Sequence, residues 1–313
     1  MSQCILTDKY KLRLIIVAVG LLRRDMLLRD ILKKIWVLNL ALIVVLAAAF
    51  YLLLTKDTKE EIEERIGRKL QVITKAQAAN LSSFFEIFGG ELTVISQSPS
   101  VESGKKEAEQ ILSAFVNQWK DSGLIGGLIF VNKSGNVVYN SNVSGVADVG
   151  GDVSDRDYFK WAKNQAEIGE YFVGTPVVSR LGATKGRVIV PVASPVFKDG
   201  LFVGLIAASI DLENLVQNFL GKMEVSSLTT TILKDANGKV LYGSENDQLN
   251  LVLVQKEKIS VGGLTWELMV GSPVEELKMI VAPIYMRQLA VFVLIIFGMV
   301  AYVSFLMKTK NAY

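Results

Sequence analysis

Two stretches of this chain carry no charged residue: Ile35–Leu54, twenty residues long, and Leu289–Met307, nineteen. A helix needs about 20 apolar residues to cross a hydrocarbon core about 30 Å thick. Helices buried in soluble domains rarely run uncharged for so long. The two stretches therefore predict two membrane spans, with residues 55–288 as one large segment between them. A hydrophobic content of 50% suits a membrane-anchored protein with a single sizeable globular part.

The flanks predict orientation. Lys9, Lys11, Arg13, Arg23, Arg24, Arg29, Lys33 and Lys34 precede the first stretch, and Lys308 and Lys310 follow the second. Basic residues near span ends favour the cytoplasmic side, and large domains translocate largely regardless of charge. The expected layout is a basic cytoplasmic N-terminus (1–34), a first span (35–54), an extracytoplasmic domain (55–285), a second span (286–307) and a short cytoplasmic tail (308–313). Leu14–Leu22 is apolar but too short to span, and it reads either as an interfacial helix or as upstream of a true start at Met26. The first span resembles an uncleaved signal anchor, being longer than the apolar core of a signal peptide.

Composition also excludes chemistry. The only cysteine is Cys4, on the expected cytoplasmic side, so no disulfide is expected in the outer domain. Without histidine the chain cannot build a His-dependent triad, a histidine metal site or a phospho-accepting histidine. No phosphate-loop pattern occurs. No cofactor, metal or nucleic-acid partner is expected, and an enzyme is disfavoured; the net charge of +3 owes much to the span flanks.

From Thr55 to about Ser98, Ile62, Ile66, Ile73, Leu81, Phe84, Phe85, Phe88, Leu92 and Ile95 recur mostly at three- and four-residue steps, predicting a long helix that Pro99 ends. Its narrow apolar seam would allow pairing with a second copy as well as packing on its own domain. Glu107–Trp119 reads as a second amphipathic helix. Strand texture follows, with a hairpin around Lys133-Ser134-Gly135-Asn136. That hairpin repeats: Ile129–Tyr139 recurs as Ile232–Tyr242, and Gly200–Ser209 recurs as Gly263–Ser272. Two related lobes follow, a large one over about 80–220 and a reduced one over about 221–275.

With these landmarks stand Asp152-Val153-Ser154-Asp155-Arg156-Asp157-Tyr158-Phe159, Trp161-Ala162, Gly169-Glu170-Tyr171-Phe172, Arg187–Ala193 and Gly204–Leu212. Over roughly residues 40–305 the chain resembles the double Cache sensor domains of prokaryotic chemoreceptors and sensor kinases. The resemblance implies an α+β fold of two PAS-like lobes with a long N-terminal helix, a ligand site in the membrane-distal lobe and a membrane-proximal lobe that couples it to the spans. It also matches Arg156, Tyr171 and Asp211 to the ligand-contacting residues of amino-acid-binding members, while Tyr158-Phe159 stands where those members carry Trp-Tyr.

The residues support a ligand role on their own chemistry. Arg156 offers a fork of donors suited to a carboxylate. Tyr158 and Tyr171 offer apolar walls with polar tips, and Trp161 is a further candidate contact. Asp211, on an otherwise apolar strand, needs a partner such as a ligand ammonium. Structural roles stand beside these: Arg156 pairing with Asp152, Asp155 or Asp157, Trp161 in the core, and Asp211 capping a helix that begins near Leu212. The expected function is a transmembrane receptor, probing for an amino acid or small organic acid and working as a homodimer. With six residues after Met307, the chain is expected to act through a separate output protein, to be a fragment of a longer receptor, or to be a decayed copy of one. The alternative is a membrane-anchored protein-binding or assembly subunit.

Overall fold

The computed structural model describes residues 4–103, 106–145, 148–221 and 228–310, with side chains between 34 and 305 except at 245 and 247. The expected tail residues 311–313, part of the junction into the second lobe (222–227) and the side chains of the basic N-terminus, Cys4 included, lie outside the described residues. The chain divides into two compact units, Met1–Ile62 with Met279–Tyr313, and Glu63–Lys278.

The first unit is built from parts of two long helices, α1 (Cys4–Ser96) and α7 (Val274–Lys310). The segments Lys34–Ser96 and Val274–Phe305 are each long and apolar enough to cross a membrane. Large apolar side chains such as Leu38, Phe50, Leu294 and Phe297 are exposed on them, as expected of a surface meant for hydrocarbon. Within this unit Tyr51 packs on Phe292 with ring centroids 5.2 Å apart. The Tyr285 hydroxyl donates to the Thr55 carbonyl (3.1 Å), and Gln288 Nε2 donates to Thr58 Oγ1 (3.0 Å). These polar contacts fall where the charged residues resume.

In the second unit α1 presents Ile66, Leu70, Leu81, Phe85, Phe88 and Leu92 as a buried stripe, the face its three- and four-residue spacing predicts. The helix ends at Ser96, and Pro99 opens a one-turn helix α2 (Pro99–Glu102) at a position where proline's missing N–H costs nothing. Helix α3 (Glu107–Trp119) lies against α1 through an aromatic cluster. Phe88 stands 5.5 Å from Phe115 and 5.2 Å from Trp119, and Trp119 Nε1 donates to Glu91 (2.9 Å).

Two antiparallel sheets follow. The first contains β1 (Ile125–Asn132), β2 (Val137–Asn142), β3 (Phe172–Val173), β4 (Val177–Val178), β5 (Val188–Lys198) and β6 (Leu201–Asp211). Its order is β2-β1-β6-β5-β3, with β4 also on β5. The second contains β7 (Thr230–Asp235), β8 (Val240–Tyr242), β9 (Leu251–Val261) and β10 (Leu264–Pro273), in the order β8-β7-β10-β9. The sequence repeat is thus a topological repeat: each sheet is a hairpin joined edge-on to the return strand of a second hairpin.

The sheets differ in what lies between the hairpins. Residues 143–187 separate β2 from β5 and carry β3, β4, a single 3-10 turn and helix α4 (Asp157–Asn164). Residues 243–250 separate β8 from β9 and hold only the short helix α6 (Glu245–Leu249). Helix α5 (Leu212–Phe219) follows the first sheet directly, and α7 follows the second. Trp266 on β10, buried against Phe85 of α1 (5.9 Å, edge-on), ties the second sheet to the same helix that carries the first.

Candidate functional site

The segment between β2 and β5 makes a cover for the first sheet. Asp152 Oδ1 accepts from the Ser154 amide (2.8 Å), and this turn brings the chain into α4, whose N-cap is Arg156. The hydrogen bond from the Ser154 amide holds the Asp152 carboxyl below its ordinary value. Arg156 has extended backbone angles and spends no side-chain atom on capping, which leaves the guanidinium to point elsewhere. Beyond it Tyr158, Phe159 and Ala162 bury one face of α4 in a cluster with Val131, Val153, Ala193 and Leu205. Proline 191 on β5 receives the Gly174 amide on its carbonyl (2.8 Å), fixing the chain between β3 and β4.

Under this cover lies a cavity walled by β1, β2, β5, β6, the start of α4 and the loop 179–183. It offers about 60 Å³ to the centres of water molecules, on a scale where one water needs about 10–15 Å³. Gly126 of β1 borders it in a crowded position, where a Cβ would stand 2.1 Å from Thr184 Cγ2 and 2.9 Å from Ser209 Oγ.

Arg156 and Tyr158 both line this cavity. Arg156 Nη2 donates to the Val178 carbonyl (3.0 Å), and no carboxylate pairs with it among the described residues. Asp155 is instead gripped by both Nη1 (3.0 Å) and Nη2 (2.8 Å) of Arg180. That double hydrogen bond holds the Asp155 carboxyl below its ordinary value and raises Arg180. Burial pushes the Tyr158 phenol up to about 12, so it stays a neutral donor at any physiological pH.

The other three residues singled out from sequence lie elsewhere. Tyr171 is a wedge: a Cβ at Gly89 of α1 would stand 2.3 Å from its ring, and one at Gly262 of the β9–β10 turn 2.8 Å. Partial burial raises its phenol, with Glu86 adding to the effect. Trp161 stacks on Phe172 with centroids 5.2 Å apart, at the margin of the core cluster. Asp211 caps α5, its Oδ1 accepting the Asn214 amide at 3.0 Å. Its Oδ2 lies 2.9 Å from Arg187 Nη1, an ion pair whose angle falls short of a hydrogen bond. Asp211 faces a second hollow, about 310 Å³ on the same scale, with Arg187 and Glu213. The charged side chains there are already paired with one another, Arg187 also reaching Glu213 at 3.7 Å.

Sequence reading missed Asn140, Ser179, Arg180 and Ser209, all of which line the first cavity. Ser209 could have been found, since it sits two residues before Asp211 on the same strand. Asn140 lies just past the repeated stretch Ile129–Tyr139 and carried no signal of its own. The partnership of Arg180 with Asp155 spans 25 positions and left no spacing signal.

Comparison with known proteins agrees with this architecture. A family model described as a Cache domain matches residues 55–282. No curated protein matches the chain. Among solved structures, the ligand-binding domain of the Pseudomonas fluorescens chemoreceptor CtaA in complex with L-serine is similar at a TM-score of 0.53 and 14% identity, covering 68% of this chain and 99% of that one. The ligand-binding domain of the Pseudomonas aeruginosa amino acid chemoreceptor PctB in complex with L-Arg has a TM-score of 0.52 at 12% identity, covering 68% and 97%. A domain of a Vibrio parahaemolyticus protein assigned to the sensory box/GGDEF family has a TM-score of 0.54 at 14% identity, covering 70% and 99%. At these identities the structures speak for the fold.

Proposed function

Because the chain belongs to the Cache domain family, we infer that it is a membrane-anchored sensory receptor whose first-sheet cavity binds a small carboxylate-containing metabolite. The observation that carries this reading is the juxtaposition of Arg156, without a carboxylate partner among the described residues, and the buried Tyr158 on one cavity wall. A planar guanidinium fork suits a carboxylate, and a neutral phenol beside it supplies a second donor. The protein acts as a binding module rather than a catalyst.

The same reading places the first-sheet lobe distal to the membrane and the second proximal, with the domain outside the cell and both termini inside. The basic flanks of the two apolar segments support that orientation. Ligand binding then shifts the equilibrium between two lobe arrangements in proportion to its differential affinity for them. The working unit is a homodimer that passes this shift to a signalling output module. Tyr171, Trp161 and Asp211 support the cavity indirectly in this scheme: Tyr171 as the wedge between α1 and the second sheet, Trp161 holding α4 against Phe172 of β3, and Asp211 as the cap at the end of β6.

The full chain in detergent, titrated calorimetrically with a panel of amino acids and small organic acids, tests the reading. At least one compound is expected to bind, and Arg156→Ala is expected to weaken it about 30-fold or more, the cost of removing one partner of a desolvated charge pair. An unchanged dissociation constant in Arg156→Ala would place the site elsewhere.

A further inference from the structure

The polar lining of the cavity narrows the ligand class within that reading. Among the residues that line it, the charged side chains are Arg156 and Arg180, and none is an aspartate or glutamate. Asp155 and Asp157 line a separate hollow that shares Arg156 and Tyr158 with this one, and the other carboxylates around the cavity are turned to other tasks. Asp155 holds Arg180 from outside the cavity wall. Asp148 accepts the Gly182 amide (2.8 Å), and Asp211 caps α5 beside Arg187.

One pair of neutral side chains, Asn140 and Asn142, points the same way. Asn142 Oδ1 accepts the Ser144 amide (3.1 Å) and the Ser144 hydroxyl (2.8 Å), which fixes its amide orientation. Asn142 Nδ2 must then donate, and it does so to Asn140 Oδ1 (3.0 Å). That relay leaves Asn140 Nδ2 as the free end. It is buried on the cavity wall with no hydrogen-bond partner. A buried donor without an acceptor is costly, and a ligand oxygen would satisfy it.

We propose that the cavity selects an organic acid lacking an ammonium group, with the Arg156 fork on one carboxylate and Asn140 Nδ2 donating to a second ligand oxygen, hydroxyl, keto or carboxylate. This rests on the functional reading above. An α-ammonium in the same place would meet two guanidinium groups and a donor rather than an acceptor. Backbone carbonyls and the hydroxyls of Ser179, Ser209 and Tyr158 can accept a hydrogen bond from it but do not balance its charge. Specificity arises here from what the wall withholds as much as from what it offers.

The discriminating experiment titrates the full chain in detergent with matched pairs that differ only at one position: L-lactate against L-alanine, succinate against L-aspartate, and the remaining C2–C6 mono- and dicarboxylic acids against their α-amino analogues. The expected result is that the acid in a binding pair is preferred by about 30-fold or more over its amino analogue. Asn140→Asp keeps the shape and replaces the orphan donor with a carboxylate. It is expected to weaken the acid about 10-fold or more and to narrow or reverse the preference. An amino acid binding as tightly as its matched acid overturns the proposal and leaves the receptor reading standing. Binding of no compound in either series overturns the receptor reading itself. Should Asn140→Asp fail to fold, Asn140→Ala removes the orphan donor, and an unchanged acid affinity there overturns the role of Asn140.

Discussion

The two sheets of the second unit share a strand order and a sequence repeat, yet only the first carries a long inserted cover. In the first, residues 143–187 cross from β2 to β5 and place Arg156, Tyr158, Ser179 and Arg180 over the sheet. In the second, residues 243–250 make the same crossing and place nothing there but α6. The difference teaches that a hairpin repeat supplies a platform, and that chemistry on it depends on an inserted segment long enough to fold back. A sheet face without such a cover must be buried some other way, and Trp266 against Phe85 of α1 does this for the second sheet.

The sharpest way to break that contrast is to weaken the second sheet alone. Trp266→Ala removes a fully buried indole and is expected to cost about 3–5 kcal/mol in chemical denaturation. Ligand affinity measured under native conditions is expected to change less than about threefold, because the residue is remote from the cavity wall. A Trp266→Ala protein that stays folded but loses its ligand would show that the second sheet shapes the site directly.

The junction between the two halves comes next. Gly89→Ala drives a methyl into the Tyr171 ring and is expected to cost about 1–3 kcal/mol by overpacking. Combined with Tyr171→Ala, most of that penalty should vanish, since the clash has lost its partner. Full additivity of the two changes in a denaturation cycle would count against the wedge.

Asp211 tests whether the first sheet's own polar residue serves the site or the fold. Asp211→Ala is expected to cost about 1 kcal/mol or more through the lost cap, whereas Asp211→Asn keeps most of the cap. Binding of a carboxylate should survive Asp211→Asn; its complete loss with stability intact would return Asp211 to the site.

The smallest effect concerns the cover itself. The Asp155 carboxyl is held below its ordinary 3.8 by Arg180, so its contribution to stability is fully present above that value. It is lost as pH falls below 3.8 through the folded value. Both side chains are about half exposed, so solvent screens the pair and the contribution is modest. The wild type is expected to exceed Asp155→Asn in denaturation midpoint at about pH 6, with the difference shrinking as pH falls below the ordinary carboxylate value. A constant difference across that range would mean that the charge plays no part.

Much of this was legible in the residues. The uncharged runs demanded two apolar helices, the three- and four-residue stripe gave the buried face of α1, and the repeat of Ile129–Tyr139 at Ile232–Tyr242 announced two related sheets. These are local signals, each carried by neighbours within a few turns or strand steps. Arg156 and Tyr158 could be placed near a cavity because the turn Asp152–Ser154 and the helix after it are also local.

What the sequence could not decide was direction across the fold. Whether Asp211 faced a ligand or capped α5, whether Tyr171 lined a wall or wedged two elements apart, and which arginine Asp155 would choose all depend on side chains brought together from distant positions. Asn140 is the clearest case. Its donor is orphaned only because Ser144 orients Asn142 and Asn142 claims the other end of the amide. A hydrogen-bond relay closed inside a cavity is a property of tertiary packing, because burial removes the water that would otherwise satisfy every group alike.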